Sequence, residues 1–191
     1  LYDTPVGSGY GIEAETRARL YKERGKDWTD QVHGVWTAAI YDKQSGTLSC
    51  WVDRIGANTM NWATGTGLTG FCTRIAPLTV LPGVDTEAND QALYLYLQME
   101  MIPAPYTFYK GINKLESGHC IQTSGRDVTV EAYWELRYPV DAGSDEDELG
   151  EHIRDIMRSQ LRNQIEYGAG ISSVGSFLSG GTDSSLIAGQ N

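Results

Sequence analysis

The residues best suited to chemistry stand near the end of the sequence, in the string SGGTDSS at residues 179–185. Gly180 and Gly181 carry no side chains, so the backbone there can close round a ligand. Exposed amides in such a loop, together with the N-terminus of a following helix, favour an anion. Hydroxyl donors are added by Ser179, Thr182, Ser184 and Ser185. These residues predict a phosphate-binding loop.

Asp183 gives the most specific information in this loop. A carboxylate beside a phosphate is repulsive unless a cation bridges the two, so Asp183 is predicted to be a Mg²⁺ ligand. A Walker A loop is the better-known alternative, and residues 175–180 do read GxxxxG. Gly181, however, stands where that loop requires Lys. An ordinary Ser/Gly turn is the remaining alternative, and the full string between a strand and a helix favours the phosphate site.

The elements that position this loop are predicted over residues 138–191. Residues 138–147 are rich in Pro, Gly, Ser and acids, which is typical of a linker, and Ser144 is expected to cap the helix that follows. Apolar residues then recur at helical spacing, at Leu149, Ile153, Ile156, Met157, Leu161 and Ile165. Glycines at 168–170 are expected to end this helix. A buried strand at 174–178 and a helix from Ser184 complete the pattern with which a parallel α/β domain begins.

The first 137 residues show a different pattern. A helix is predicted at 13–24, with Gly25 as its stop. Strands at 35–41 and 47–52 form a predicted hairpin, and shorter strands are predicted near 61–63, 70–73, 121–122 and 128–134. A second helix at 89–98 has apolar residues at Ala92, Leu93, Tyr96 and Leu97, and the prolines of IPAP at 102–105 end it. Residues 110–119 are predicted to be a loop. The pattern indicates layered sheets with flanking helices.

Composition narrows the class of protein. The 191 residues carry a net charge of -10, which argues against a broad nucleic-acid surface. No apolar run reaches the length of a membrane span, and no secretory signal opens the chain. Three cysteines without a CxxC pair are read as buried, reduced thiols, so a cytoplasmic location is expected. The five tryptophans are expected to pack the sheet core. The histidines show no metal spacing.

The loop resembles the SGGxDS pyrophosphate loop of ATP pyrophosphatases. Other segments resemble, in the same order, the amidotransferase half of glutamine-hydrolysing asparagine synthetases: GVWTAAIYDKQSGTL (34–48), DRIG (53–56), IPAPYTFYKGINKLESGH (102–119) and AYW (132–134). The resemblance covers almost the whole chain. It implies an α+β N-terminal-nucleophile glutaminase-like sandwich, incomplete, at residues 1–137. It also implies the start of an α/β parallel-sheet synthetase domain at 138–191.

The resemblance implies a ligase that forms asparagine from aspartate, ATP and glutamine through β-aspartyl-AMP, releasing AMP and pyrophosphate. ATP and Mg²⁺ are the implied cofactors, and the residues 179–185 would hold the phosphates. Phe177 matches a position that lines the adenosine side, although core packing is an equally good interpretation. The implied partners are small molecules rather than nucleic acid or membrane, and a homodimer is compatible with the family.

Two departures from the family pattern matter. The family nucleophile is a Cys at the start of the mature chain, and none of the cysteines here matches it, so no catalytic residue is assigned and this chain alone is expected to be inactive. The start at Leu1 and the end at Asn191 suggest a fragment of a longer protein. In EAE (13–15), Glu13 stands where the family has the Asp that binds the glutamine amino group. It could bind that group or complement the helix dipole.

These departures keep two alternatives open. One is a related ATP-dependent amide-forming enzyme with another carboxylate acceptor, of the β-lactam, lasso-peptide or sugar-amidation type. The other is a non-catalytic, truncated paralogue that only binds nucleotide or a partner.

Overall fold

A computed structural model of the chain describes residues 10–124, 127–138, 143, 145–167, 173 and 175–189. The chain divides into two compact units, Leu1–Leu136 and Arg137–Asn191. Among the described residues, no helix is both long and apolar enough to cross a membrane.

The first unit combines helices with short strands. Helix α1 (Tyr10–Arg24) begins three residues before the predicted start and leads into a 3₁₀ helix at Gly25–Gln31. A second 3₁₀ helix occupies Ala76–Leu78, and α2 occupies Asp90–Met99. The described strands are β1 (Thr37–Asp42), β2 (Thr47–Val52), β3 (Asn61–Thr64), β4 (Thr69–Cys72), β5 (Asn113–Lys114), β6 (His119–Ser124) and β7 (Asp127–Ala132). Strand β5 lies inside the segment that was predicted to be a loop. The prediction missed this strand because two residues are too few to show a period-two pattern.

All strand pairs of the described residues are antiparallel. A larger sheet has the order β1-β2-β6-β7, and a smaller sheet has the order β4-β3-β5. The predicted hairpin is confirmed by the register of β1 and β2, which runs from Thr37 opposite Val52 to Asp42 opposite Thr47. Mixed α/β content with antiparallel sheets is compatible with the glutaminase-type fold expected for this half.

The larger sheet buries both of its faces. On one face, Trp51 of β2 and Cys120 of β6 join a cluster with Trp28, Val32 and Trp36 from the 3₁₀ helix and its surroundings. On the other face, a second cluster contacts Trp62 and Phe71 of the smaller sheet. Its buried members are Cys50, Val52, Met60, Leu115 and Ile121. Because side chains alternate along a strand, neighbouring residues of β2 pack into different clusters on the two faces of the sheet. The order of layers is therefore helix, sheet, sheet.

The tryptophans show how the core of the helical layer is built. Trp28 is fully buried and lies 5.3 Å from both Trp36 and Trp51, measured between ring centroids. The expectation that aromatic rings pack the sheet core is confirmed for these three. Trp62 is only partly buried, against the second cluster, and Trp134 is half-buried.

Helix α2 buries little of its apolar set. Ala92 is fully buried, whereas Leu93, Tyr96 and Leu97 are 45%, 51% and 75% exposed. The predicted helix is confirmed, and most of its apolar set is exposed in this structure. The described residues cover only the side of the helix that carries Ala92. Helical periodicity alone cannot show which side of a helix a neighbour covers.

We expect Asn89→Ala to destabilise α2. The Asn89 side chain accepts a hydrogen bond from the Ala92 amide at 3.2 Å, which caps the helix. Its loss should lower the free energy of unfolding by about 1 kcal/mol. Urea denaturation measures this, and Gln91→Ala, at an exposed position of the same helix, should change the stability far less. Equal effects of the two substitutions would contradict the capping role.

The second unit contains α3 (Glu146–Tyr167) and α4 (Thr182–Ala188). The long helix predicted from apolar spacing is confirmed. Its first turn is capped by Asp145, whose carboxylate accepts a hydrogen bond from the Asp147 amide at 2.8 Å. The predicted cap, Ser144, and the glycines at 168–170 lie outside the described residues.

The predicted buried strand at 174–178 does not appear. Residues 175–178 have no strand structure, and Phe177 and Leu178 are 98% and 65% exposed, while Val174 lies outside the described residues. A buried strand needs neighbouring strands to satisfy its backbone, and the described residues of the second unit supply none. Helix α4 begins at Thr182, two residues before the prediction.

Candidate functional site

The backbone of the loop at 179–185 turns at its two glycines. Gly180 has φ +85°, a conformation that side chains disfavour, and a Cβ built there would meet nothing within 4 Å. Gly181 is the N-cap of α4 with extended backbone. No described side chain caps this helix, so the amides of its first turn remain available to an acceptor.

The serine hydroxyls of the loop are engaged with the loop itself. The hydroxyls of Ser184 and Ser185 donate to the Gly181 carbonyl at 3.1 Å and 2.8 Å. The Ser179 hydroxyl lies 3.0 Å from that of Ser184, and the Ser179 amide donates to Ser184 Oγ at 3.3 Å. In this structure the serines therefore shape the turn rather than point donors outward.

Thr182 and Asp183 are exposed at the start of α4. The described residues contain no group of three or more His, Cys, Asp or Glu side chains that could hold a metal. Asp183 would thus be a single protein ligand to Mg²⁺, which commonly takes one or two carboxylates and completes its shell with phosphates and water. The open space at Gly180 and the exposed carboxylate of Asp183 fit a phosphate–metal group.

Phe177 precedes the loop and is 98% exposed. The core-packing interpretation of this residue is therefore wrong for this structure. Its expected contact with adenosine stays a prediction.

Glu13 lies near the start of α1, in the first unit. Its side chain is outside the part of the chain that the structure describes. The predicted contact with the glutamine amino group therefore stays a prediction.

The residue that sequence reasoning underrated is Asp53 of the DRIG segment. It is fully buried, and its carboxylate accepts hydrogen bonds from the amides of Trp36, Ile55, Ala57 and Asn58 at 3.0–3.3 Å. These hydrogen bonds close a turn, and the described contacts include no ion pair between Asp53 and Arg54. The Arg54 guanidinium instead donates to the Thr29 carbonyl at 3.4 Å. An Asp three residues before a Gly was the available signal, since Asp side chains bind amides just ahead in tight turns.

Gly118 joins this turn to the last strand of the unit. Its amide donates to the Asp53 carbonyl at 3.0 Å, and its own carbonyl accepts from the amides of Tyr133 and Trp134. Its φ is +67°, and a Cβ there would lie 2.5 Å from the Trp134 carbonyl oxygen. Asp53 and Gly118 together hold the segments that carry the recognisable motifs DRIG, SGH and AYW.

The cysteines are free, as expected, and do not form a nucleophilic site. Burial raises the pKa of Cys50 to about 12 and raises the pKa of Cys120, so both stay protonated near neutral pH. Cys72 is only half-buried, which corrects the expectation that all three are buried. Cys50 and Cys120 point to opposite faces of the larger sheet.

Comparison with known families agrees with the fold of the first unit. Residues 12–134 match the family model of the glutamine amidotransferase domain. The chain belongs to this family, whose match ends close to the boundary between the two units.

Similar proteins carry a more specific name. The chain is 27% identical over 186 residues to a putative glutamine-hydrolysing asparagine synthetase 2 of Methanocaldococcus jannaschii, covering 94% of this chain and 35% of that protein. It is 28% identical to a putative asparagine synthetase of Mycobacterium tuberculosis, covering 97% and 29%. For asparagine synthetase 1 of Bacillus subtilis, the identity is 26%, with 95% and 28% covered. The chain thus spans about a third of the length of the curated relatives it matches, and the resemblance to this family is confirmed.

Proposed function

We propose that these residues belong to a glutamine-dependent asparagine synthetase. The first unit is the glutaminase part, and the second unit begins the ATP-dependent synthetase part. The synthetase part would activate aspartate as β-aspartyl-AMP and release pyrophosphate, and ammonia from glutamine would then displace AMP. ATP and Mg²⁺ would be the cofactors.

One observation carries the proposal: the relatives named glutamine-hydrolysing asparagine synthetase match 94–97% of this chain, across both units. The match therefore extends past the amidotransferase domain at 12–134 into the segment with the SGGTDSS loop. The loop at 179–185 is exposed and turns at Gly180 and Gly181, which supports a role in holding phosphates. Its lack of the Walker lysine favours transfer at the α-phosphate over kinase chemistry.

Asp183→Ala tests the metal role within this proposal. In a longer protein that contains these 191 residues, aspartate should drive exchange of labelled pyrophosphate into ATP. The substitution should reduce that exchange by about 100-fold, because the cation that bridges carboxylate and phosphate is lost. Asp155→Ala, on exposed α3 of the same unit, is the matched control and should leave the exchange intact.

The outcomes separate the alternatives. Exchange that depends on another carboxylic acid and not on aspartate would show that this acid, rather than aspartate, is the acceptor. No exchange with any acid would favour the non-catalytic paralogue. Full exchange by Asp183→Ala would remove the metal role while leaving the synthetase assignment in place.

The second candidate is a related ATP-dependent amide-forming enzyme with another carboxylate acceptor, in which glutamine need not be the nitrogen donor, and Glu13 favours it. The longer side chain in place of the family Asp changes the reach toward a glutamine ammonium. A relative of another name, amidase chry2 of Gibberella zeae, matches 93% of the chain at 24% identity. Glutaminase activity of the longer protein and of its Glu13→Asp variant would decide whether glutamine is the donor.

A further inference from the structure

Helix α2 exposes an apolar side that the described part of the first unit does not cover. Successive residues of a helix are turned by about 100°, so the side that carries Ala92 and Leu95 is opposite to the side that carries Leu93 and Leu97. Ala92 is fully buried and Leu95 is half-buried, which shows where the first unit contacts the helix. The large apolar side chains exposed on the other side are those of Leu93, Tyr94, Tyr96 and Leu97. A helix that is apolar on most of its sides is typically a buried one.

Two further exposed apolar residues lie at the ends of this helix. Phe108 is beside the N-terminal end, because its carbonyl accepts a hydrogen bond from the Asn89 amide at 2.8 Å. Met101 follows the C-terminal end, which is at Met99. We call six side chains the α2 surface: Leu93, Tyr94, Tyr96, Leu97, Met101 and Phe108. The Asn89 cap and the backbone hydrogen bond to Phe108 order the helix before any partner binds, which lowers the entropic cost of association.

The segment that carries the α2 surface is nearly free of charge. Residues 91–109 contain one charged residue, Glu100, whereas 21% of the whole chain is charged. The same segment is rich in Tyr, Leu and Met. Depletion of charge at an exposed surface, together with aromatic residues and Met, is the compositional signal of the core of a protein–protein interface. The segment is therefore typical of an interaction surface rather than of a solvated helix.

The area of the α2 surface is sufficient for a specific contact. Large apolar side chains present about 150–250 Å² when fully exposed, so six that are roughly half exposed present on the order of 600 Å². This equals the largest apolar patches found on monomeric proteins, about 300–600 Å². Two such surfaces in contact would bury on the order of 1,200 Å², which reaches the lower end of the range for specific protein–protein interfaces.

The chemistry of the α2 surface limits its partner. A nucleic acid would require Lys or Arg, and a basic protein would require Asp or Glu, but none of the six side chains is charged. A lipid surface binds amphipathic helices that carry Lys and Arg beside the apolar face, whereas Gln91 and Gln98 stand at that position here. The partner surface must therefore be apolar and uncharged. A second copy of this chain presents such a surface, and it lets two chains of net charge -10 meet without carboxylates at the centre of the contact.

We propose that the α2 surface forms the contact of a two-fold symmetric dimer of this chain. In such a dimer the same residues of both copies pack against one another, so an apolar, uncharged surface is complementary to itself. Leu93 and Leu97 lie one turn apart and form the centre of the contact, and Tyr94 and Tyr96 flank them with their hydroxyls toward water. The dimer does not depend on which reaction the longer protein catalyses.

Sedimentation equilibrium of the 191-residue chain tests this proposal. The mass should rise with concentration from 21.0 kDa to twice that value and no further, with a dissociation constant on the order of 10 μM. Added salt should strengthen the dimer, because it screens the repulsion between two acidic chains while the contact itself contains no ion pair. In NMR spectra, the amide signals of Leu93 and Leu97 should shift over the same concentration range.

Variants locate the contact. Leu97→Glu should weaken the dimer by about 100-fold or more, because each copy would bring a carboxylate into an apolar contact without a partner for it. Leu97 is 75% exposed, so the substitution should leave the monomer folded, which circular dichroism checks. Ile55→Glu is the matched control. Ile55 is also 75% exposed but is not part of the α2 surface, so this variant adds the same charge and should dimerise like the unchanged chain.

The outcomes distinguish the possible occupants of the α2 surface. A chain that stays monomeric, a dimer that Leu97→Glu leaves unchanged, or equal weakening by Ile55→Glu would each overturn the proposal. Association that continues beyond two copies would also overturn it, because a two-fold contact closes on itself. If the 191-residue chain dimerises but a longer protein containing it is monomeric, another part of that longer protein covers α2, and the second copy is not the natural partner.

Discussion

Asp53→Asn should destabilise the first unit by about 4 kcal/mol. The Asp53 carboxylate is fully buried and accepts hydrogen bonds from four backbone amides. An Asn side chain keeps one acceptor oxygen, but its NH₂ group replaces the second oxygen. That NH₂ group would face the amides of Trp36 and Asn58, which donate to the second oxygen in the unchanged chain. Buried donors without an acceptor lose their hydration with no compensation.

Tryptophan fluorescence during urea denaturation is the appropriate measurement. All five tryptophans lie in the first unit, so the signal reports this unit even if the second unit unfolds separately. Asp42→Asn is a matched control. That carboxylate also accepts hydrogen bonds from the Gln44 amide and the Ser45 hydroxyl, but Asp42 is only half-buried and both hydrogen bonds are exposed, so water can replace the lost contacts.

A shift for Asp53→Asn no larger than that for Asp42→Asn would show that the buried carboxylate is not needed to hold the DRIG turn. Hydrogen exchange gives a second measurement. The amides of Ala57 and Asn58 should lose protection in Asp53→Asn, while amides at the centre of β2 should keep more of theirs.

Gly118→Ala should destabilise the first unit by about 3 kcal/mol, through two separate effects. The backbone at φ +67° disfavours a side chain, and the added Cβ would lie 2.5 Å from the carbonyl oxygen of Trp134. Relief requires movement of the backbone, because the neighbour is not the end of a flexible side chain. That movement would strain the hydrogen bonds that Gly118 makes to Asp53, Tyr133 and Trp134.

Gly46→Ala separates these two effects. Gly46 has the same φ of +67°, but a Cβ there would meet nothing within 4 Å. It should therefore show only the conformational cost, about 1 kcal/mol. If both substitutions shift the urea midpoint equally, the close approach of Gly118 to Trp134 contributes nothing to stability.

Local sequence patterns predicted the elements that are encoded by residues close together in the sequence. The hairpin of β1 and β2 followed from two strand-like runs and the turn between them, and α3 followed from apolar residues at three- and four-residue spacing. The helix α2 was also predicted, and the structure shows that most of its apolar set is exposed. Periodicity reports that one side of a helix is apolar, not what covers it.

Long-range pairing could not be predicted in the same way. The buried contacts of Asp53 join residues on both sides of β2, and the register of three strands places Trp51, Cys120 and Glu131 in one row. A shift of one residue in either register would place these side chains on opposite faces.

The sequence by itself determined the family, through motifs whose residue types are specific, and it located the loop at 179–185 with its glycines and Asp183. Those features depend on neighbours along the chain. The tertiary structure decided which carboxylate is buried and that Phe177 is exposed. The reason is physical: burial and hydrogen-bond partnership are properties of packing between distant segments, which no local pattern encodes.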